Sequence, residues 1–139
     1  MRKSRLLIRP LFVIASVGAQ AAELPLQGVY GTREVCDAIR AGGTVDKIWD
    51  NPTLEGMMFA PSGYRDSDTA CTWDKVTGSP GPIDPNGTRW SVTATCKDTV
   101  RVHIENYRLL ERRTDGILTI LKGDQEPFSV RYCMGNAPP

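Results

Sequence analysis

Apolar and polar residues alternate with a period of two along most of this chain, the spacing of half-buried strands. The clearest runs are ACTWDKV, beginning at Ala70, and TRWSVTATC, ending at Cys96. Cys71 and Trp73 share one face of the first; Trp90, Val92, Ala94 and Cys96 share one face of the second. Between them, GSPGPIDPNG carries Pro80, Pro82 and Pro85, which lack backbone donors, and Asn86-Gly87, which favours a turn. The pattern predicts an antiparallel hairpin with Cys71 opposite or nearly opposite Cys96, both thiols inward.

Further along, Val100, Val102 and Ile104 alternate with Arg101, His103 and Glu105. Beyond Glu105 the apolar positions become Tyr107 and Leu109. A strand exchanges its faces only through an extra residue, so a bulge, kink or short turn is expected at Glu105-Asn106. His103 then belongs to a solvated polar face. Lys97-Asp98 reads as a tight turn, and Asp115-Gly116 as the two-residue turn of a hairpin joining 107–114 to 117–122. ILTIL, apolar on both faces, predicts a strand that is central or covered by a helix. After a turn at Gly123-Asp124, the last strand sets Phe128, Val130 and Tyr132 on one face and Cys133 on the other.

A helical pattern occurs once, in REVCDAIRA. Thr32 stands at its N-cap, Val35, Cys36 and Ile39 lie on one side, and Gly42-Gly43 follows it. Such a helix is too short to persist alone and must dock. Residues 23–31 and 55–61 read as short strands; 44–54 has no clear period and is interrupted by Asn51-Pro52. The expected fold is mainly β: an antiparallel meander curled into a small barrel or sandwich, with one short N-terminal helix.

The first 21 residues stand apart. A basic start (Arg2, Lys3, Arg5), an apolar stretch at 11–17 and Ala19-Gln20-Ala21 have the layout of a secretory signal cut after Ala21. Residues 22–139 are then a single β-rich domain, periplasmic or secreted, monomeric and without a membrane span. The chain has 17 basic and 16 acidic residues; loss of Arg2, Lys3, Arg5 and Arg9 leaves 13 against 16, with no general attraction for nucleic acid.

Four cysteines in an exported chain imply two disulfides, for which three pairings exist. Strand parity favours Cys71–Cys96 within the hairpin and Cys36–Cys133 between the docked helix and the last strand. Cysteines so far apart in sequence, with His103 as the one histidine, do not have zinc-site spacing. Neither a metal nor another cofactor is expected.

No hydrolase elbow, phosphate loop or dinucleotide fingerprint occurs. Asp66, Asp68 and Asp74 beside Trp73 are the nearest approach to a glycosidase pair. Loop carboxylates of this kind stay ionised, so no catalytic residue is assigned and the chain is read as a non-enzyme. Asp66-Ser67-Asp68 lacks the glycine and glutamate of a calcium loop. Asn86-Gly87-Thr88 fits a glycosylation sequon but is explained as a turn. Trp73 and Trp90 are expected in the core; Trp49, with Arg112 and Arg113, is the candidate ligand or partner surface.

Gly28-Val29-Tyr30-Gly31, the helix with Cys36, Cys71-x-Trp73, the Trp90-to-Cys96 run and Tyr132-Cys133 together resemble a loose group of small cysteine-bearing periplasmic proteins of Gram-negative bacteria. The resemblance spans most of the chain after residue 21 and implies no activity. Bacterial lysozyme inhibitors, small exported β-barrels with a disulfide, are an analogy of class only. The functional expectation is an exported binding or inhibitor-like module. The alternatives are a structural envelope component and a small hydrolase of envelope polysaccharide.

Overall fold

The strands close, in chain order, into one antiparallel barrel of eight. They are β1 (Gly28–Gly31), β2 (Met58–Ala60), β3 (Gly63–Arg65), β4 (Ala70–Thr77), β5 (Thr88–Lys97), β6 (Val102–Arg112), β7 (Ile117–Lys122) and β8 (Phe128–Gly135). β8 returns to pair with β1, which leaves no sheet edge along the body of the barrel. Two helices, α1 (Arg33–Arg40) and α2 (Val45–Trp49), lie between β1 and β2. This computed structural model describes residues 22–51, 55–78 and 87–135. The proposed signal, the sequon at Asn86 with most of its loop, Pro52 and the tail from Asn136 lie outside the described residues.

The predicted hairpin is present as β4 and β5. Cys71 stands directly opposite Cys96, and the two are bonded. A bulge after Trp73 turns Asp74 and Lys75 outward and returns Val76 to its place opposite Val92. Inside the barrel, Trp73, Tyr30, Phe59, Leu109, Leu118 and Ile120 form the fully buried centre. Gly63 is required here by close approach: a Cβ would stand 2.0 Å from the Cys71 carbonyl oxygen.

The second disulfide, Cys36–Cys133, rests on another bulge. Val29 pairs with Met134 and Tyr30 with Tyr132, so Cys133 is the extra residue of β8 and points outward to α1. Val35 and Ile39 of α1, Ile48 of α2, and Val29, Met58 and Ala60 of the barrel wall form a separate apolar cluster beneath the helices. Here 44–54 resolves in part: Val45–Trp49 is a helical turn whose cap is the Thr44 side chain, accepting from Lys47 N at 3.3 Å. Thr32 starts α1 without capping it; its Oγ1 accepts from Met57 N at 3.1 Å instead.

Two expectations are corrected, and a third is settled between its alternatives. No bulge interrupts Glu105-Asn106: β5 and β6 pair without a shift from Thr88↔Glu111 to Lys97↔Val102. The ladder hydrogen bonds hold one parity throughout, so His103 and Glu105 face inward while Val102 and Ile104 are 63% and 60% exposed. β7 is central rather than helix-covered: it pairs with β6 and β8, while the helix packs on β8 and β1, and its outward residues Ile117, Thr119 and Leu121 stay partly exposed. The turn at Asp115-Gly116 has four residues, 113–116, with Gly116 at φ +65°.

Candidate functional site

In an up-and-down barrel alternate connections gather at the same end. The turns 66–69, 98–101 and 123–127 meet at one end; 61–62 and 113–116 lie at the other. The two ends are built differently.

At the 113–116 end the extended segment 22–27 folds over the barrel. Ala22 N donates to Trp73 O at 2.8 Å and Leu24 N to Pro61 O at 2.9 Å, which drives Leu24 and Leu26 into the core. The strand expected at 23–31 is therefore only β1; its first part is a plug. Glu111, 1% exposed, holds the plug in place. It accepts from Gln27 N at 2.8 Å, Tyr30 Oη at 3.0 Å and Arg113 Nε at 3.0 Å. Arg113 also donates to Pro25 O at 3.0 Å. Burial, and then the Glu111 charge, push the Tyr30 hydroxyl well above its ordinary pKa, so it remains a donor. Arg113 is thus engaged in closing the barrel. Arg112 pairs with Asp115 at 2.9 Å on the exposed turn. Trp49 packs against the cluster under the helices. The three residues of the expected ligand surface do not converge on one site.

The opposite end is a polar mouth around a cavity of ≈ 370 Å³. β6 supplies His103, Glu105 and Tyr107, three successive inward positions made polar by the unbroken register. His103 Nε2 lies 3.1 Å from Glu105 Oε1, and Nδ1 lies 3.8 Å from Asp98 Oδ2. Nδ1 is buried and has no hydrogen-bond partner. The His103 side chain is only 18% exposed, so it is not the solvated strand residue that the alternation implied. Lys122, the last residue of β7, places Nζ 3.5 Å from the same Glu105 oxygen and 5.8 Å from the centre of the Tyr107 ring.

Local turns aim the remaining groups. Asp98 Oδ1 accepts from Val100 N and Arg101 N, both at 2.8 Å. These bonds hold its carboxyl below the usual carboxylate range. The Asp66 side chain ties its own turn, accepting from Asp68 N at 2.9 Å and Thr69 N at 2.8 Å, and also accepts from the Tyr64 hydroxyl. Burial raises the Tyr64 and Tyr107 hydroxyls far above their ordinary value; hydrogen bonding to Asp66 adds to the first and the Glu105 charge to the second. Both therefore stay protonated. Phe59 and Phe128 complete an aromatic wall, with ring centres 4.7 Å between Phe59 and Tyr64 and 6.4 Å between the two phenylalanines.

The other sequence candidates are dispersed. Of Asp66, Asp68 and Asp74, only Asp66 reaches the mouth; Asp68 is exposed in the turn and Asp74 bonds Thr95 on the outer wall. Trp73 is fully buried with Nε1 on Ala60 O at 3.0 Å, so no sugar can stack on it. A larger groove of ≈ 780 Å³ runs between α1 and β8, but its ions are solvated: Arg33, Arg40 and Asp37 are 90%, 65% and 57% exposed. Among the described residues no three His, Cys, Asp or Glu side chains gather as metal ligands.

His103, Glu105 and Glu111 are the residues that sequence reasoning missed. The signal was present. Counting back in twos from Tyr107 reaches 105 and 103, and counting forward from Leu109 reaches 111. In comparisons with family models, curated proteins and solved structures, nothing matches this chain.

Proposed function

We propose that the protein is an exported, non-catalytic binding module that receives its ligand at the polar mouth. One observation carries this reading: the barrel interior is sealed by its own chain at one end and ends at the other in a cavity lined by half-buried ionisable groups and aromatic rings. Burying such groups costs free energy unless they are matched. A domain that can plug one end with Leu24 and Leu26 but carries His103, Glu105 and Asp98 at the other has a reason for the difference outside its own stability. Ligand sites take this form, a concave aromatic surface with a few convergent polar groups. Two disulfides suit an oxidising compartment, and one of them, Cys71–Cys96, ties β4 to β5 beneath the mouth.

Catalysis is the weaker reading. The tyrosine hydroxyls in the mouth are held protonated by burial, and among the described residues no hydroxyl or thiol is hydrogen-bonded to His103. The test is NMR shift mapping of the oxidised protein titrated with size-fractionated periplasmic extract. Saturable shifts concentrated on His103, Glu105 and Lys122 are expected. Shifts confined to the helical side or to the 113–116 end, or none that saturate, would defeat the proposal and favour a structural envelope role.

A further inference from the structure

We infer that the mouth takes its partner as an added β-strand, an extended protein segment that pairs with residues 102–104 of β6; this deepens the binding reading above and rests on it. β6 has 11 residues and β7 has 6. β7 pairs with β6 only from Tyr107 to Arg112, so among the described residues 102–106 have a strand, β5, on one side alone. The chain does not come back to the other side. After Lys122 it turns at once, with Gln125 N donating to Lys122 O at 3.1 Å, and β8 begins beyond β7.

Two observations fix which backbone groups face the open side. Asp98 N donates to Arg101 O at 3.1 Å, which continues the β5–β6 ladder past its last pair. The Cα atoms of Cys71 and Cys96 are 4.0 Å apart, the close spacing of a pair without mutual hydrogen bonds, so Cys96 turns its N–H and C=O toward His103. Both place the backbone bonds of 101 and 103 on the β5 side. Val102 and Ile104 therefore present N–H and C=O outward along the open edge, in the spacing that another main chain matches.

The side chains agree. Sheet edges are ordinarily blunted by proline, a bulge or an outward lysine. This stretch keeps an unshifted register, and its outward residues Val102 and Ile104 are 63% and 60% exposed, with Val100 at 88% in the turn beside them. These are three of the four large apolar residues exposed in the described chain, so they form a patch rather than a scatter. A strand laid here continues the line of β7, antiparallel to β6. Its residues opposite Val102 and Ile104 lie on the outer face, where apolar β-branched side chains pair well with them. The residue between, opposite His103, points into the ≈ 370 Å³ cavity. The segment thus reads apolar, any, apolar. A second copy of this chain fits worse. Pairing two β6 edges about Ile104 sets Arg101 of each copy opposite Tyr107 of the other, the place that Lys122 already holds.

The oxidised protein is titrated by NMR with the blocked peptide acetyl-Lys-Thr-Val-Thr-Val-Thr-Lys-amide. The control is the same peptide N-methylated at both valines, which keeps the side chains and removes the main-chain donors. The first peptide is expected to bind saturably and to slow amide exchange at Val102 and Ile104 at least about tenfold, with little change at His103 and Glu105. N-methylation should weaken binding about tenfold or more, and Ile104→Lys should weaken it as well. Should that variant not fold, the methylated peptide decides the point. Equal binding of the two peptides, or no slowing on β6, overturns strand addition. The binding reading is judged apart, by the extract titration: saturable shifts at His103, Glu105 and Lys122 while Val102 and Ile104 exchange fast would keep the ligand site and lose the strand. Slowing at Val102 and Ile104 that grows with the concentration of the protein alone, with a dimer in sedimentation, would make the occupant a second copy and overturn the partner segment.

Discussion

Glu105 and Glu111 lie on the same inward face of β6, six residues apart, at opposite ends of one barrel. Glu111 has three donors at 2.8–3.0 Å and a side chain with 0% exposure. Glu105 has two nitrogen partners, His103 Nε2 and Lys122 Nζ, and a side chain 24% exposed. Around Glu111 the polar inventory closes: backbone N–H, phenol and guanidinium each meet an acceptor, and apolar Leu24 and Leu26 exclude water. Around Glu105 it stays open, with an orphaned His103 nitrogen and a lysine that water can reach. Burial of the same residue type thus becomes a structural clamp where the chain supplies every partner, and a half-solvated rim where it does not.

The most severe way to disturb the mouth is to cut the bond beneath it. Cys71–Cys96 closes a loop of 26 residues, and the Tyr107 hydroxyl lies 3.8 Å and 4.0 Å from its two sulfurs. Replacing both cysteines with alanine is expected to lower unfolding stability by about 3.5 kcal/mol, read by urea denaturation. Hydrogen exchange should accelerate first in residues 102–106, which pair with β5 alone among the described residues. Equal acceleration at both ends would contradict the idea that the mouth depends on this pin.

Glu111→Ala should come next. It leaves Arg113 and two other donors without their acceptor and frees the plug, at a cost of about 3 kcal/mol measured by thermal or urea unfolding. Glu105→Ala should cost under about 1 kcal/mol, because its partners regain water. The comparison between the two ends fails if the two substitutions cost the same.

Smaller still is Ile104→Thr. Ile104 has the position of an inward residue by hydrophobicity but is 60% exposed. Its replacement should change stability by less than about 0.5 kcal/mol, whereas Leu109→Ala on the buried half of the same strand should cost at least about 2 kcal/mol. A large loss for Ile104→Thr would mean that 102–106 is turned over relative to the present structure.

The finest effect concerns acid. The Asp98 carboxyl is lowered from its ordinary 3.8 by the Val100 and Arg101 amides. A depressed folded pKa means that this contribution is complete above the ordinary value and is lost as pH falls through the folded one. The 98–101 turn should therefore loosen only below about pH 4, and Asp98→Asn should remove that step from an NMR titration. A step at higher pH would show that the turn is not held by these two bonds.

Much of the fold was legible because its causes are local. Period-two patterning marked the strands, Cys71 and Cys96 shared a face with Trp90 and Val92, and Cys133 stood off the apolar face of its strand, so both disulfides follow from parity. The failure at Glu105-Asn106 came from treating hydrophobicity as a reliable marker of the inside. That assumption holds where both strand neighbours and a packed interior exist, as from Tyr107 onward. It fails at a barrel end, where the inward face opens on a wet cavity.

Residue spacing alone determined the β class, the position of α1 and the cysteine pairing, since each depends on which way successive side chains point. Closure of β8 on β1 decided the rest. It brought three turns distant in sequence to one end, so that Asp66, Asp98, His103 and Lys122 face one cavity. It also folded 22–27 across the other end onto Glu111. Neither assembly has a local signature, because the partners of each charge come from strands whose neighbours are fixed only when the ring closes.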